Sequence, residues 1–171
     1  MIILGIDPGI ADTGFGVIKK TNDSFRAEAF GTIATKKADT LPDRLQELFD
    51  GIKGLIKKHK PNRIAVEQLF FAKNAKTAIA VAHARGVILL AAKSAGCEVQ
   101  EYTPLQVKQA LTGYGAASKL QIQRMVKIIL ALKTIPRPDD AADALAIAIC
   151  AGQTKSFTAG TARGAAKEKQ L

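Results

Sequence analysis

The chain has 171 residues, 47% of them hydrophobic, and a formal charge of +10, which suits one domain with a full core and a surface drawn to nucleic acid or to an anionic membrane. A spanning helix is excluded, because the longest apolar tract, Thr77 to Ala92, is short and carries His83 and Arg85 at its centre. Cys97 and Cys150 are isolated in apolar surroundings without metal-ligand spacing, which fits buried free thiols and neither a disulfide framework nor a zinc site.

Met1 to Gly9 reads as a strand buried on both faces, with Ile2, Ile3, Leu4 and Ile6 closed by Pro8 and Gly9. It carries Asp7 to its carboxyl end, where open α/β sheets place their ligands. Over this segment alone, a turn aspartate capping Pro8-Gly9 would look the same. No basic region followed by an apolar signal segment precedes the strand, so a cytoplasmic protein is expected. Asp12-Thr13-Gly14 supplies a turn, Phe15 to Ile18 folds back as a second strand, and Phe25 to Ala34 completes an antiparallel meander.

Leu41, Leu45, Leu48, Phe49, Ile52, Leu55 and Ile56 recur at helical spacing as far as His59, with Thr40 or Asp39 before Pro42 as the start and Pro61 as the stop. Arg63 to Glu67 then repeats the first strand's pattern, an apolar run ending in one carboxylate. A right-handed crossover would lay it parallel beside an earlier strand. Asn74 to Ala95 is a long Ala-rich helix, apolar around most of its circumference, which asks for burial on more than one side. Glu98 to Tyr102 is a fifth strand, and Pro104 opens a short helix carrying Lys108. Gly113-Tyr114-Gly115 breaks the chain, after which Ser118 and Gln121 form a capping box for a helix running through Leu132. The last helix begins near Pro138. Residues 153–171 turn to Gly, Ala, Thr, Lys and Arg without periodicity and read as a mobile basic tail. These elements make an α/β domain, a five-stranded mixed sheet flanked by helices.

Asp140 and Asp143 stand three residues apart and share one face of the last helix's first turn, whereas the adjacent Asp139 points elsewhere. Acids there could simply complement the helix dipole. Asp7 and Glu67, however, already end two strands that the topology can make neighbours. Four converging carboxylates repel one another and would protonate unless a cation neutralises them. Hard oxygen ligands without His or Cys suit Mg²⁺ or Mn²⁺, and a pair of such ions can activate water and stabilise a leaving oxygen in phosphodiester cleavage.

Gly5-Ile6-Asp7-Pro8-Gly9, Glu67-Gln68 with Phe70-Phe71-Ala72-Lys73-Asn74, and Asp140-Ala141-Ala142-Asp143-Ala144-Leu145-Ala146 closely resemble the RuvC family of bacterial crossover-junction endonucleases. The resemblance covers about residues 1 to 150. It implies a ribonuclease H-like fold over residues 1–152 and a Mg²⁺-dependent homodimer acting in DNA recombination and repair. Such a dimer resolves four-way (Holliday) junction DNA by paired symmetric nicks, leaving ligatable 5′-phosphate and 3′-hydroxyl ends. The family's metal-binding acids map onto Asp7, Glu67, Asp140 and Asp143, expected to hold two Mg²⁺ per site with Mn²⁺ as a substitute. Its basic positions near the scissile phosphate map onto Lys108 and Lys119, and Lys119 is counted with the acids as catalytic. The stacking aromatic maps onto Phe70, with Phe71 beside it leaving open which ring meets DNA, while Lys73 and Asn74 complete the DNA-contacting set. The branch-migration proteins RuvA and RuvB are the partners implied, and no membrane is.

Two other readings fit parts of the chain. The Gly5 to Gly9 turn with Gly14 also resembles the phosphate-binding turn of actin-like and sugar-kinase-like ATPases, but those need a second lobe for which the length leaves no room. A noncatalytic junction-binding module would tolerate loss of the acids, and all four are present.

Overall fold

The computed structural model describes residues 1–69 and 75–154, except for the side chains of residues 75–77. A five-stranded sheet in the order β3-β2-β1-β4-β5 forms its centre. β1 (Ile2–Asp7), β2 (Asp12–Thr21) and β3 (Ser24–Ala34) make the antiparallel meander, while β4 (Arg63–Glu67) and β5 (Glu98–Tyr102) run parallel to β1. α1 (Leu41–His59) provides the crossover from β3 to β4, and α2 (Ala75–Ser94) that from β4 to β5. The chain then continues through α3 (Pro104–Thr112), α4 (Lys119–Ile129) and α5 (Asp139–Gln153).

The two-residue period of a strand assigns each side chain to a layer. Leu4, Ile6, Val17, Ile64 and Val66 point to one face and pack with Leu48, Ile52 and Ile56 of α1 and with Ala84 and Ile88 of α2. Ile3, Ile18, Ala65 and Tyr102 point to the other and meet α3, α4 and α5 through Val107, Leu111, Ile122, Val126, Leu145 and Ile149. Odd-numbered positions of β1 and β4 therefore face α5. The same parity carries Asp7 and Glu67 to the end of that face.

α5 is buried along nearly its whole length, from Ala141 to Gly152. It lies close to the backbone of β1 and β2 because Gly5, Gly14 and Gly16 leave room for it. A β-carbon on Gly5 would collide with the Ala144 carbonyl, one on Gly14 with the Asp140 carbonyl, and one on Gly16 with Leu145. Cations hold its far end: Arg63 Nη1 donates to the Ala151 carbonyl at 3.0 Å and Lys20 Nζ to that of Gly152 at 2.5 Å. Positive charge at a helix carboxyl terminus is favourable, as are Asp139 and Asp140 in the first turn.

The expected elements are present with altered ends. Asp12-Thr13-Gly14 begins β2, and the reversal falls earlier, at residues 8–11, where Thr13 Oγ1 donates to the Gly9 carbonyl at 2.5 Å. Gly14 thereby becomes the strand partner of Asp7. α4 stops at Ile129 instead of Leu132 because Ala131 adopts a left-handed φ of 49° and Leu132 N donates back to the Lys127 carbonyl. Thr40 caps α1, and the expected box of Ser118 and Gln121 caps α4. A second box, Thr103 with Gln106, caps α3 ahead of Pro104. Cys150 is buried and Cys97 half-buried, and both are free thiols. The tail assigned to residues 153–171 lies, from residue 155 onward, outside the described residues.

Gly5 in this seam and Gly54 in α1 predict opposite outcomes for one chemical change. Gly5→Ala is expected to destabilise the domain by about 1–3 kcal/mol through overpacking. Gly54→Ala, in the interior of α1 with open space around it, is expected to stabilise by about 0.5–1 kcal/mol. Denaturant melts of both variants test the seam. A Gly5→Ala protein as stable as the parent would show that α5 does not rest on β1 in this way.

Candidate active site

The carboxyl ends of β1 and β4 and the first turn of α5 meet at one edge of the sheet. Asp7, Asp140 and Asp143 each place one carboxylate oxygen within 4.8 Å of the others. The missing side chain of Gly14, opposite Asp7 on β2, admits the Asp140 backbone to this position. Glu67 stands outside that three-oxygen group but close enough to act electrostatically on Asp7 and to feel Asp143. A cleft of about 200 Å³ opens beside them, with Glu67, Asp143, Lys108 and Lys119 as its charged lining and Val107 and Ile122 in its apolar wall.

The charges are poorly balanced. Burial, reinforced by Glu67, Asp143 and Asp140, pushes the Asp7 carboxyl up to about 8, against a smaller opposing pull from Lys119. Burial and Asp143 push Glu67 up to about 7, with Lys108 pulling the other way. Asp143 is also raised, by burial first and then by Asp140 and Asp139, although Lys119 opposes the shift. Lys119 Nζ lies 3.0 Å from Asp143 and 3.5 Å from Asp139. Burial works against its ammonium, but these two carboxylates outweigh it and raise its pKa above the ordinary lysine value. Two ammonium groups, Lys119 and Lys108, cannot neutralise four carboxylates. A half-buried set of hard oxygen donors, without His or Cys and short of positive charge, is compatible with a divalent cation.

The structure brings together Asp7, Asp140 and Asp143, with Glu67, Lys108 and Lys119 around the adjoining cleft. Phe70, Phe71, Lys73 and Asn74 lie outside the described residues. Asp139 turns away from the three-oxygen group as expected, yet it is not idle. It pairs with Lys119 and Arg137 and accepts a hydrogen bond from the buried Gln123. No motif in the sequence marks Gln123 or Arg137. A buried glutamine on the apolar face of α4 is the one signal that could have pointed to the first.

A central strand and the last helix, joined through a mixed sheet in this order and carrying acids to one edge, define an α/β protein of the ribonuclease H-like fold. The family model described as crossover junction endodeoxyribonuclease RuvC matches residues 3–151. The crossover junction endodeoxyribonuclease RuvC of Brevibacillus brevis is 52% identical over 157 residues, covering 92% of this chain and 95% of the relative. The structure of Thermus thermophilus RuvC in complex with Holliday junction substrate superposes with a TM-score of 0.83 at 38% identity, over 88% of this chain and 92% of that one. The yeast mitochondrial Holliday junction resolvase Ydc2 shares the fold, with a TM-score of 0.65 at 16% identity, over 86% of this chain and 76% of that one. The chain belongs to the RuvC family of crossover junction endodeoxyribonucleases. Among its described residues no helix is long and apolar enough to cross a membrane.

Raised carboxylates make a prediction about stability. Asp7 and Glu67 ordinarily titrate at 3.8 and 4.5, so above those values the metal-free folded protein holds protons that the unfolded chain has released. Its stability must then fall as pH rises, until Asp7 has ionised near pH 8. Thermal melts in EDTA are expected to give a lower Tm at pH 8.5 than at pH 5.5, and Mg²⁺ is expected to reduce the drop. Asp7→Asn in EDTA at pH 8.5 is expected to raise Tm by at least about 2–4 °C, the shift that 1 kcal/mol makes in a domain of this size. A Tm lowered by that substitution would contradict the electrostatic reading of the cluster.

Proposed function

We propose that this protein is a Mg²⁺-dependent, structure-selective endonuclease that resolves Holliday junctions by paired symmetric nicks in DNA recombination and repair. The observation that carries this reading is the convergence of Asp7, Asp140 and Asp143 beside a cleft carrying Lys108 and Lys119, on a chain of net charge +10. The basic surface grips the DNA backbone, and the acidic pocket receives the metals. Family membership supports the same substrate.

In this reading Asp7, Glu67, Asp140 and Asp143 hold two Mg²⁺ ions, for which Mn²⁺ can substitute. Such a pair supplies an activated water and charge stabilisation at the leaving oxygen. Lys119 and Lys108, which line the same cleft, face the scissile phosphate and balance the charge that develops on it. Phe70 or Phe71 stacks on an unpaired base, with Lys73 and Asn74 beside it. Residues 1–152 form the nuclease domain, and residues 153–171 are a basic tail outside it. By family resemblance RuvA and RuvB deliver the substrate. The bacterial relatives and a DNA substrate point to the cytoplasm as the place of work.

A homodimer completes the reading. Ile79, Ala82, His83, Gly86 and Leu90 share one exposed face of α2, with Ile79 at 59% and Leu90 at 60% exposure. An apolar stripe of this kind on an otherwise strongly basic protein suits a two-fold contact. A four-way junction has matching symmetry and needs two cuts to yield intact duplexes.

Asp7→Asn is expected to lower cleavage of a synthetic four-way junction by about 10²-fold or more, the scale of losing one preorganised electrostatic group. Binding to the same junction should persist, since the change makes the surface more cationic. Cleavage at the parental rate would remove Asp7 from the mechanism. Sedimentation at micromolar protein is expected to show a dimer that converts a cruciform plasmid mainly to linear product. Ile79→Glu with Leu90→Glu should give monomers that accumulate nicked circles. A parental protein that is itself monomeric and nicks only one strand would overturn the paired-cut reading.

A further inference from the structure

Lys119 stands between two carboxylates of different standing. Its Nζ is 3.0 Å from Asp143 Oδ2 and 3.5 Å from Asp139 Oδ2. Asp143 belongs to the three-oxygen group with Asp7 and Asp140, and Asp139 does not. Consecutive helix positions diverge by about 100° around the axis, so Asp140 reaches toward β1 while Asp139 leans across to α4.

Asp139 is itself held. Its Oδ1 accepts from Gln123 Nε2 at 3.2 Å and from Arg137 Nη1. Gln123 is 5% exposed and so has little freedom to move. Both donors converge on one oxygen, which leaves Oδ2 facing Lys119. The ammonium needs such a partner for two reasons. Lys119 is the first residue of α4, where the helix dipole disfavours a cation. Its side chain is 52% exposed, so without an anchor it can swing into water.

We propose that Asp139 is a positioning residue for Lys119, a second anchor that keeps the ammonium at the rim of the acidic cluster when Asp143 turns its oxygen to a metal ion. This rests on the nuclease reading, in which Asp143 is a metal ligand and Lys119 faces the phosphate. In the metal-free protein Lys119 serves as the cluster's own counter-ion, in contact with Asp143. As Asp143 engages metal, that contact weakens and Asp139 takes over the ammonium within about the same reach. If Asp139 cannot do so, Lys119 stays on Asp143, its remaining carboxylate partner, and competes there with the metal. A bland role for Asp139, simple charge complementarity at the start of α5, would act on any nearby cation whatever stood at position 119.

The test is a double-mutant cycle read by Mn²⁺ binding to the full chain, measured by electron paramagnetic resonance without DNA. Asp139→Asn is expected to weaken Mn²⁺ binding at least about threefold more in the parental background than in a Lys119→Met background, a coupling expected of contacting charges. On a four-way junction, Asp139→Asn should lower the single-turnover cleavage rate by about ten- to a hundredfold, the upper end being the loss a misplacement of 1 Å can cause, with junction affinity within about twofold. Asp139→Glu should restore part of that rate, because it returns the carboxylate. Equal effects of Asp139→Asn on Mn²⁺ binding in both backgrounds would overturn the proposal, leaving Asp139 a through-space charge. A parental protein that cuts junctions yet binds no Mn²⁺ at this cluster would overturn the metal reading and this proposal together. A parental rate in Asp139→Asn with normal Mn²⁺ binding would overturn the positioning role alone.

Discussion

The direct contact of α5 with the backbones of β1 and β2 decides where the acids stand. A helix usually rides on a sheet at the distance set by its intervening side chains. Here Gly5, Gly14 and Gly16 offer none, and the facing helix presents mainly alanines. Glycine permits such close approach at a conformational cost, which the burial of α5 between the sheet and α3 and α4 offsets. The closeness brings the Asp140 backbone against Gly14, directly opposite Asp7 in the strand pair. One bulkier residue in this seam would lift the first turn of α5 and separate carboxylates that must lie within a few ångströms.

That placement carries a standing electrostatic cost. Burial and mutual repulsion raise Asp7 to about 8 and Glu67 to about 7, so the metal-free site strains against being fully charged. The rest of the domain is arranged to tolerate this. Two apolar layers flank the sheet, and Arg63 and Lys20 hold the opposite end of α5. The helix is therefore pinned at the end remote from the chemistry. Its acidic end is held by the glycine seam and by Lys119, which touches both Asp143 and Asp139. A site compatible with divalent cations thus carries a weaker internal cation.

Much of this was legible in the residues. Ile3, Leu4 and Ile6 ending at Asp7, and Ile64, Ala65 and Val66 ending at Glu67, announce two buried strands with a carboxylate at the same end. The spacing of Asp140 and Asp143 announces a shared helix face. Apolar periodicity determines such features locally, because 2.0 and 3.6 residues per repeat are properties of the backbone itself. The family resemblance rests on the same three stretches. The capping boxes also lie within four residues of chain, and the one at Ser118 could be read at sight.

What tertiary structure alone decided depends on pairings distant in sequence. Asp12-Thr13-Gly14 has turn-forming residues, yet it is strand because Thr13 and Gly14 pair with Ile33 and Thr32 and because Gly14 faces Asp7. No local rule could say that Asp7 joins Asp140 and Asp143 in one oxygen group while Glu67 stands apart, since this follows from how near α5 sits to each strand. Helix geometry turns Asp139 away from its neighbour's partners, but it could not say that Asp139 would find Lys119 and Gln123 of α4 instead. The sequence by itself determined which residues form strands and helices and which carboxylates end them, because short-range geometry repeats. Only the packed domain decided their distances and protonation, because both depend on the space and the charges that remote segments leave around each group.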